Sequence, residues 1–248
     1  MSGSELVAKL EEAFETAIAM DAPLNARMKV IADRVRALST VFADAVDRMV
    51  GRLEGQAAGE AAPKVGEVLP AFLLPDERGH LVALSEAIAD GPAAISFVRG
   101  HWCPYCRLNA VGLAEVQDEV ASLGGRIVVI APERRRFTSA LKKEAHAEFP
   151  ILTDMDNGYA LSLNLAIWVG AEMENLIASA GWEVPAYQGN AAWMMPIPAT
   201  FVVGTDGVIV ARYIDPDYRR RMEIEDLLAA FKQARARRIP TNPSTATG

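Results

Sequence analysis

The segment Phe97-Val98-Arg99-Gly100-His101-Trp102-Cys103-Pro104-Tyr105-Cys106-Arg107 decides the fold of this chain. It contains the only two cysteines among 248 residues, spaced as Cys-x-x-Cys. An apolar run, Ala93 to Val98, precedes the cysteines, and a helix-like segment follows them. A Cys-x-x-Cys pair at the junction of a strand and a helix is typical of a thiol–disulfide redox site.

Pro104 predicts where the helix begins, because a residue without an N–H group suits the first turn. We therefore expect Cys103 at the helix N-terminus and Cys106 one turn further along. Free N–H groups and the positive end of the helix dipole would stabilise a thiolate at Cys103. Cys103 is thus predicted to be the nucleophile and Cys106 the resolving cysteine. Residues at this spacing have Cβ atoms about 5–6 Å apart, so a disulfide needs only a small adjustment.

Other interpretations of the pair fit less well. A structural zinc site takes four ligands, and the three histidines (His80, His101 and His146) are scattered along the chain. A c-type haem site requires His directly after the second cysteine, where Arg107 stands. Two buried, inert cysteines remain an alternative, since free Cys often packs as a small hydrophobe. We predict no metal and no cofactor.

Composition restricts the class of protein. Hydrophobic residues make up 51% of the chain and charged residues 23%, which is enough to build a core. The net charge of −7, without a basic stripe, argues against nucleic acid as a partner. The first residues lack the pattern of a secretory signal, and no apolar run is long enough to span a membrane. These features predict a cytoplasmic protein that has no membrane partner, in a compartment that keeps thiols reduced.

The first 53 residues predict a helical extension. Leu6, Leu10, Phe14 and Ile18 form an apolar stripe at helical spacing. A second stripe predicts one further helix, which opens at Pro23 and continues to Leu53. The apolar stripes must be buried, either against the rest of the chain or in a homodimer formed through these helices.

The chain divides into four predicted parts. A helical extension (1–53) is followed by a linker rich in small residues (54–66), an α/β domain (67–239) and a disordered tail (240–248). In the domain, strand–helix–strand order predicts right-handed crossovers and parallel pairing at the centre. Asp206-Gly207 predicts an antiparallel hairpin near the end.

Two groups of residues resemble known proteins. Arg99 to Cys106 resembles the active site of the thioredoxin-like superfamily, with Trp102 placed as in thioredoxins and Pro-Tyr as in glutaredoxins. The stretches Pro196 to Val203 and Asp215 to Arg220 resemble peroxiredoxins of the alkyl hydroperoxide reductase/thiol-specific antioxidant family. The resemblance covers roughly Leu69 to Arg237. It implies a thioredoxin-like fold, a central mixed sheet flanked by helices, with the N-terminal helices outside its core.

The resemblance also implies roles for residues around the cysteines. Pro198 would be a loop proline, commonly cis, that lies opposite Cys103 and exposes the Ile197 backbone for pairing with substrate. Trp102 and Arg99 are candidate supporting residues, the second by its positive charge. His101, two residues before Cys103, is a candidate base for the thiol.

The sequence departs from the family at two positions. Typical peroxiredoxins have a Thr three residues before the peroxide-attacking Cys, and a Pro four residues before that Thr. Counted from Cys103, these positions hold Gly100 and Ser96. The Thr hydroxyl normally orients the peroxide, so this departure keeps a second activity open.

Three functions are therefore carried forward. In the first, Cys103 attacks a peroxide and becomes a sulfenic acid, Cys106 condenses with it, and a dithiol donor such as a thioredoxin or glutathione system reduces the disulfide. In the second, Cys103 attacks a disulfide substrate, as in thioredoxins and glutaredoxins. The third is a non-catalytic scaffold assembled through the N-terminal helices. The peroxiredoxin-like C-terminal half favours the first.

Overall fold

The centre of the fold, in a computed structural model that describes residues 3–236, is a five-stranded mixed sheet. The strands in chain order are β1 (Leu73–Pro75), β2 (Leu81–Ala83), β3 (Ala93–Phe97), β4 (Arg126–Ala131), β5 (Ile151–Thr153), β6 (Ala166–Trp168), β7 (Met194–Pro196), β8 (Ala199–Val203) and β9 (Ile209–Ile214). The central sheet has the order β5-β4-β3-β8-β9. Its β3, β4 and β5 pair in parallel, and β8 is antiparallel to both β3 and β9. Two small antiparallel hairpins, β1–β2 and β6–β7, complete the strands of this part of the chain.

Helices cover both faces of the sheet and extend beyond it. They are α1 (Gly3–Ile18), α2 (Leu24–Leu38), α3 (Thr40–Gly55), α4 (Leu84–Ala87), α5 (Pro104–Glu115), α6 (Gln117–Ser122), α7 (Arg135–Glu144), α8 (Gly158–Ser162), α9 (Ala171–Ser179), α10 (Val184–Gln188) and α11 (Ile224–Ala236). Within residues 3–236, no helix combines the length and the apolar character that crossing a bilayer requires. The predicted α/β fold, a central mixed sheet flanked by helices, is confirmed.

The strand before the cysteines is buried along its whole length. Every residue of β3 is buried, because β4 and β8 pair with its two edges and helices cover its faces. A strand buried on both faces has no alternation of polar and apolar residues, which explains the continuous apolar run in the sequence. The end of β3 at Phe97 therefore places the cysteine loop at the edge of the core.

The predicted single helix from Pro23 to Leu53 is wrong, because the chain breaks at Ser39. This residue has an extended backbone (φ −153°, ψ 97°), and its side chain accepts a hydrogen bond from the Phe42 N–H at 3.1 Å. Serine is a favourable N-cap because its hydroxyl satisfies a free N–H of the first turn. Because α2 and α3 each bury an apolar face, the apolar spacing continues across Ser39. The sequence pattern therefore does not reveal the break between the two helices.

The N-terminal helices share one hydrophobic cluster with the cysteine helix. Phe14 of α1 and Met28 of α2 belong to the same cluster as Cys103 and Cys106. Buried Arg27 forms a salt bridge at 2.7 Å with Glu115, at the end of α5. The predicted extension is therefore packed on the sheet domain of its own chain, while the alternative of a homodimer stays a prediction.

The predicted linker is also packed. Arg212 of β9 donates hydrogen bonds to the carbonyl oxygens of Ala62 (2.8 Å) and Pro63 (3.0 Å). Ala62 itself is buried. The end of the predicted linker therefore lies against β9 of the central sheet. The predicted tail, 240–248, falls outside the described residues, as does the end of the predicted domain at 239.

Candidate active site

The cysteines lie where β3 passes into α5. Cys103 is the N-cap residue of α5, and Pro104 opens the helix, as the sequence predicts. The loop turns at Gly100, which has φ +138°, and the Cys103 N–H donates to the Gly100 carbonyl oxygen at 3.2 Å. Cys106 falls in the first turn of the helix. The structure therefore places both sulfurs at the N-terminus of one helix.

The groups that stabilise a negative charge converge on Cys106 rather than Cys103. Both thiols are free and buried, with exposed fractions of 0% for Cys106 and 1% for Cys103. The Sγ of Cys106 accepts hydrogen bonds from the Arg99 backbone N–H at 3.2 Å and from the Arg221 Nη2 at 3.3 Å. The Cys103 side chain accepts no capping hydrogen bond from the first turn of α5.

The pKa values of the two thiols are shifted in opposite directions. Burial opposes ionisation of Cys106, but a hydrogen bond from Cys103 and the charges of Arg221 and Arg99 outweigh it and lower the pKa of Cys106 to about 5. Burial, followed by the hydrogen bond to Cys106 and the Cys106 charge, raises the pKa of Cys103 well above its ordinary value. At neutral pH the two thiols therefore share one proton, and the contacts favour the negative charge on Cys106.

The contacts therefore favour a thiolate at Cys106, whereas the sequence predicts one at Cys103. The sequence argument assumed that the N–H groups of the first turn point at the N-cap sulfur, and they do not. Cys106, one turn further along, reaches the N–H of Arg99 in the preceding loop instead. The activating contacts come from the loop and from a distant arginine, neither of which the helix spacing specifies.

Arg99 is a buried cation beside the pair. Its guanidinium carbon lies 4.0 Å from the ring centroid of Tyr218 and 4.9 Å from that of Trp102. Its Nε donates to the Met195 Sδ at 3.3 Å. Two aromatic rings can hold a guanidinium without a carboxylate, which leaves its charge available to the thiolate. The predicted supporting residues Arg99 and Trp102 therefore do lie at the site.

Arg221 is the residue that sequence reasoning missed. Its side chain is almost completely buried, and its Nη1 donates to the carbonyl oxygens of Tyr218 (2.7 Å) and Arg220 (2.6 Å). The peroxiredoxin-like stretch, Asp215 to Arg220, ends one residue before it. Arg219, which the same stretch contains, instead pairs with Asp217 and Asp47. A buried arginine cannot be told from its surface neighbours by sequence alone.

Glu133 is a second residue of the site that the sequence did not indicate. It follows β4, is fully buried, and its Oε2 accepts the His101 backbone N–H at 2.7 Å. Its Oε1 has no hydrogen-bond partner among the described residues. Burial above all, and then the charge of Cys106, raises the pKa of Glu133 to about 8. Glu133 therefore fixes the cysteine loop through a carboxyl that is mostly protonated at neutral pH.

The predicted roles of three residues are corrected. The His101 Nε2 is engaged by Glu144 at 2.7 Å, and no hydrogen bond joins its imidazole to Cys103 among the described residues. The Ile197 N–H donates to the Leu165 carbonyl oxygen at 2.7 Å, because the β6–β7 pairing continues to this point, and it is not free for substrate. The peptide bond before Pro198 is trans, as are all peptide bonds of the described residues.

A small pocket of about 30 Å³ opens beside Cys103. Neither Ile197 nor Pro198 lines it. Its walls come from the cysteine loop, from the first three helices, from α9 and from the chain near Tyr218: Leu6, Leu10, Val35, Ser39, Phe42, Arg99, Trp102, Cys103, Pro104, Tyr105, Ile177, Trp182 and Tyr218. The indole N–H of Trp102 is buried and has no partner among the described residues. The pocket is therefore mainly apolar, with a thiol, a cation and an unused donor among its lining residues.

Comparison with known proteins identifies related sequences. The model of the AhpC/TSA family matches residues 65–212. Peroxiredoxin Bcp of Escherichia coli (strain K12) is 27% identical over 94 residues, an alignment that covers 38% of this chain and 60% of that protein. The chain thus spans less than two thirds of the curated relative that it matches.

Solved structures share the fold at lower identity. Peroxidoxin BcpB from Mycobacterium tuberculosis is 21% identical with a TM-score of 0.53, covering 68% of this chain and 97% of that one. Reduced Prx3 in complex with H₂O₂ from Vibrio vulnificus is 17% identical with a TM-score of 0.53, covering 68% and 99%. The first 64 residues, which contain α1 to α3, lie outside the region that the family model matches.

Proposed function

The chain belongs to the AhpC/TSA family, and we propose that it reduces peroxides with its two cysteines. The observation that carries this proposal is the convergence of the Arg99 N–H and the Arg221 guanidinium on the Cys106 sulfur. A thiolate is the nucleophilic form of cysteine, and these contacts supply one at neutral pH. The peroxiredoxins among its relatives support the same activity.

We assign the attack on peroxide to Cys106, whereas the sequence alone favoured Cys103. The reason is that the Arg99 N–H and the Arg221 guanidinium donate to the Cys106 sulfur and lower the pKa of this thiol, whereas burial raises the pKa of Cys103. With Cys106 as the attacking sulfur, the position three residues earlier, where the family has Thr, is Cys103 itself. Its thiol retains a proton and takes the place of the hydroxyl that orients peroxide. Counted from Cys106, the family positions of Thr and Pro hold Cys103 and Arg99, so the chain still differs from the family at both.

The reaction balances with the groups present. The Cys106 thiolate attacks the terminal oxygen of R–O–O–H, a sulfur–oxygen bond forms, the O–O bond breaks, and Cys106 becomes a sulfenic acid. The leaving alkoxide takes a proton from a water molecule and departs as R–OH, and the water becomes hydroxide. Cys103 then attacks the Cys106 sulfur, and its proton leaves with the hydroxyl group as water, which yields the Cys103–Cys106 disulfide. Because Cys106 is fully buried, the first step requires a local movement of the Cys103 side chain or its loop.

A dithiol donor must return the disulfide to two thiols. One donor sulfur attacks Cys103, the sulfur that lines the pocket, and a second donor thiol resolves the mixed disulfide. A thioredoxin-type or glutathione system fits this step. Such donors operate where thiols are kept reduced, so we place the protein in the cytoplasm.

Disulfide reduction is the second candidate function, and one observation favours it. Cys103 rather than Cys106 lines the pocket, as the attacking sulfur of a disulfide reductase should. Against this candidate, burial and the neighbouring Cys106 keep Cys103 protonated. The two functions thus differ in which sulfur attacks.

A stopped-flow experiment tests the proposal. The reduced protein is mixed with hydrogen peroxide, with cumene hydroperoxide and with hydroxyethyl disulfide, and the Cys103→Ser/Cys106→Ser double variant serves as the control. We expect oxidation by at least one peroxide to be many times faster than that of a free thiolate such as glutathione. Peroxide rates equal to those of the free thiolate, with rapid disulfide exchange, would instead establish the reductase.

A homodimer through the N-terminal helices is a further part of the proposal. Val41 on α3 has an exposed fraction of 64%, so this part of the surface is not covered by the protomer itself. Sedimentation of the wild type and of Val41→Glu tests it, since a dimer that uses this surface should dissociate in the variant. A purely structural scaffold, in contrast, would keep its cellular function after Cys103→Ser.

A further inference from the structure

The first helix, α1, lies over the cysteine pair. Its residues Leu6 and Leu10 line the small pocket beside Cys103, although they precede the matched family region, which begins at residue 65. Both thiols are buried, and the pocket measures about 30 Å³. A water molecule needs roughly 10–15 Å³ of such space, so the pocket has room for about two of them. A larger reactant reaches Cys103 only if one wall of the pocket moves.

The walls formed by α2 and α3 are tied to the sheet domain. At the start of α2, the Leu24 N–H and the Asn25 side chain both donate to the carboxylate of Glu223, at 2.9 and 2.7 Å. On α3, the ring of Phe42 packs against Trp182 at a centroid distance of 6.5 Å. These contacts hold α2 and the start of α3 on the domain, so α1 is the wall that is free to swing.

The C-terminal end of α1 is anchored. Buried Arg27 of α2 donates to the carbonyl oxygens of Ala17 (2.9 Å) and Ile18 (3.4 Å), which belong to the last turn of α1. The carbonyl groups of a last turn have no partner within their own helix, and Arg27 satisfies two of them. Arg27 is fixed in turn by its salt bridge to Glu115. This end is therefore a pivot, and the part of α1 that covers Cys103 lies away from it.

A salt bridge fastens the middle of α1 to the cysteine helix. Arg107, which directly follows Cys106, donates to both carboxylate oxygens of Glu11, at 2.8 and 2.6 Å. Its guanidinium carbon also lies 4.0 Å from the ring centroid of Phe14. Glu144 pairs with the same guanidinium, so Arg107 keeps a counter-charge when Glu11 leaves. The bond to Glu11 can therefore break without leaving the arginine unpaired.

We propose that α1 is a cover over the cysteine pair, which swings open about its anchored end when the bond between Glu11 and Arg107 breaks. The cover must open before any reactant much larger than water contacts Cys103. A dithiol donor is such a reactant, because its sulfur must approach the disulfide directly; this consequence rests on the proposed function. Helices outside the family region thus decide which reactants the cysteines meet.

Thiol labelling measures how readily the cover opens. The reduced protein is mixed with DTNB, a bulky aromatic disulfide, and the release of its chromophore gives the rate at which the cysteine pair reacts. Glu11→Gln weakens the bond to Arg107, and we expect it to react at least fivefold faster than the wild type, which corresponds to about 1 kcal/mol lost from the closed form. Glu15→Gln makes the same change of charge at an exposed position of α1, and this matched control should stay within twofold. Leu10→Ala weakens the cover at the pocket and should also speed the reaction.

Hydrogen exchange separates opening of the cover from unfolding of the whole protein. In Glu11→Gln, the amides of α1 should exchange faster, while those of β3 in the central sheet should keep the wild-type rate. Wild-type DTNB rates in both Glu11→Gln and Leu10→Ala would overturn the inference, and so would equal acceleration of exchange in α1 and β3. None of these measurements uses a peroxide, so a failure of the cover is distinguishable from a failure of peroxide reduction.

Discussion

Arg221 and Cys106 are separated by 115 positions in the chain, and the Arg221 Nη2 lies 3.3 Å from the Cys106 Sγ. The Nη1 of Arg221 donates to the backbone carbonyl oxygens of Tyr218 and Arg220, and these bonds fix the guanidinium in place. A fixed, buried cation interacts strongly with a buried anion, because little water screens the pair. This contact, like the hydrogen bond from the Arg99 N–H, is made by Cys106 and not by its partner Cys103.

Arg221→Met should raise the pKa of the thiol pair. Removing a buried charge in contact with the thiolate shifts the pKa upward by about one unit or more, each unit corresponding to about 1.4 kcal/mol. Absorbance at 240 nm against pH measures it, and the rate of oxidation by peroxide at pH 6 should fall several-fold. Arg220→Met, whose side chain is 64% exposed, is the control and should titrate like the wild type. An unchanged titration in Arg221→Met would show that Arg221 does not stabilise the thiolate.

The stability of the reduced protein should depend on Cys106 ionisation. The pKa of Cys106 falls from 9.0 to about 5 on folding, so its ionisation stabilises the fold fully above pH 9 and loses this contribution as the pH falls through 5. Glu133 acts in the opposite direction, since a pKa raised from 4.5 to about 8 makes stability fall as the pH rises between these values.

Urea unfolding between pH 5 and 8.5 separates the two contributions. Relative to the reduced wild type, Cys106→Ser should lose stability increasingly as the pH rises, and Glu133→Gln should gain it. A Cys106→Ser variant whose stability runs parallel to that of the wild type over this interval would contradict the low pKa of Cys106.

Gly100→Ala should destabilise the protein and disturb the cysteine loop. A Cβ at this position would lie 2.4 Å from the Cδ and the Oε1 of Glu133, and the φ of +138° is unfavourable for any side chain. We expect a loss of about 2 kcal/mol or more in the free energy of unfolding. Gly51→Ala, in the middle of α3 with open space around it, should gain about 0.5–1 kcal/mol instead. Equal effects at the two glycines would show that Glu133 does not lie beneath the loop.

Ser39→Ala should weaken the junction between α2 and α3. The hydroxyl of Ser39 caps α3 by accepting the Phe42 N–H, and loss of an N-cap costs about 1 kcal/mol. Ser39→Asp retains an acceptor and should unfold like the wild type. Thermal unfolding followed by circular dichroism measures both. No loss in Ser39→Ala would favour the continuous helix that the apolar spacing suggested.

Local signals in the sequence predicted much of the fold. The apolar run before the cysteines, Pro104 after Cys103, and Asp206-Gly207 each act over a few residues, and each placed its element correctly. The break at Ser39 was missed because a serine N-cap is a single residue inside a continuous apolar stripe. The spacing of apolar residues indicates which face of a helix is buried, but it does not indicate whether the backbone continues as one helix.

The charge distribution at the site could not be read from the sequence. It depends on Arg221 and Glu133, which reach the cysteine loop from two other parts of the chain. The sequence shows neither their burial nor their orientation. The same holds for the pocket, where Phe42 and Trp182 meet only after the N-terminal helices pack against α9. Long-range contacts of this kind require the folded structure.

The central claim is that Cys106 is the sulfur that attacks peroxide, and single-cysteine variants test it most directly. Reduced Cys103→Ser and Cys106→Ser are mixed with peroxide in the presence of dimedone, and the labelled protein is followed by mass spectrometry. We predict that Cys103→Ser forms a sulfenic acid at Cys106 at a rate within about tenfold of wild-type oxidation, and that Cys106→Ser forms none above the rate of a free thiol. Rapid sulfenic acid formation at Cys103 in Cys106→Ser, with an inert Cys103→Ser, would contradict the account.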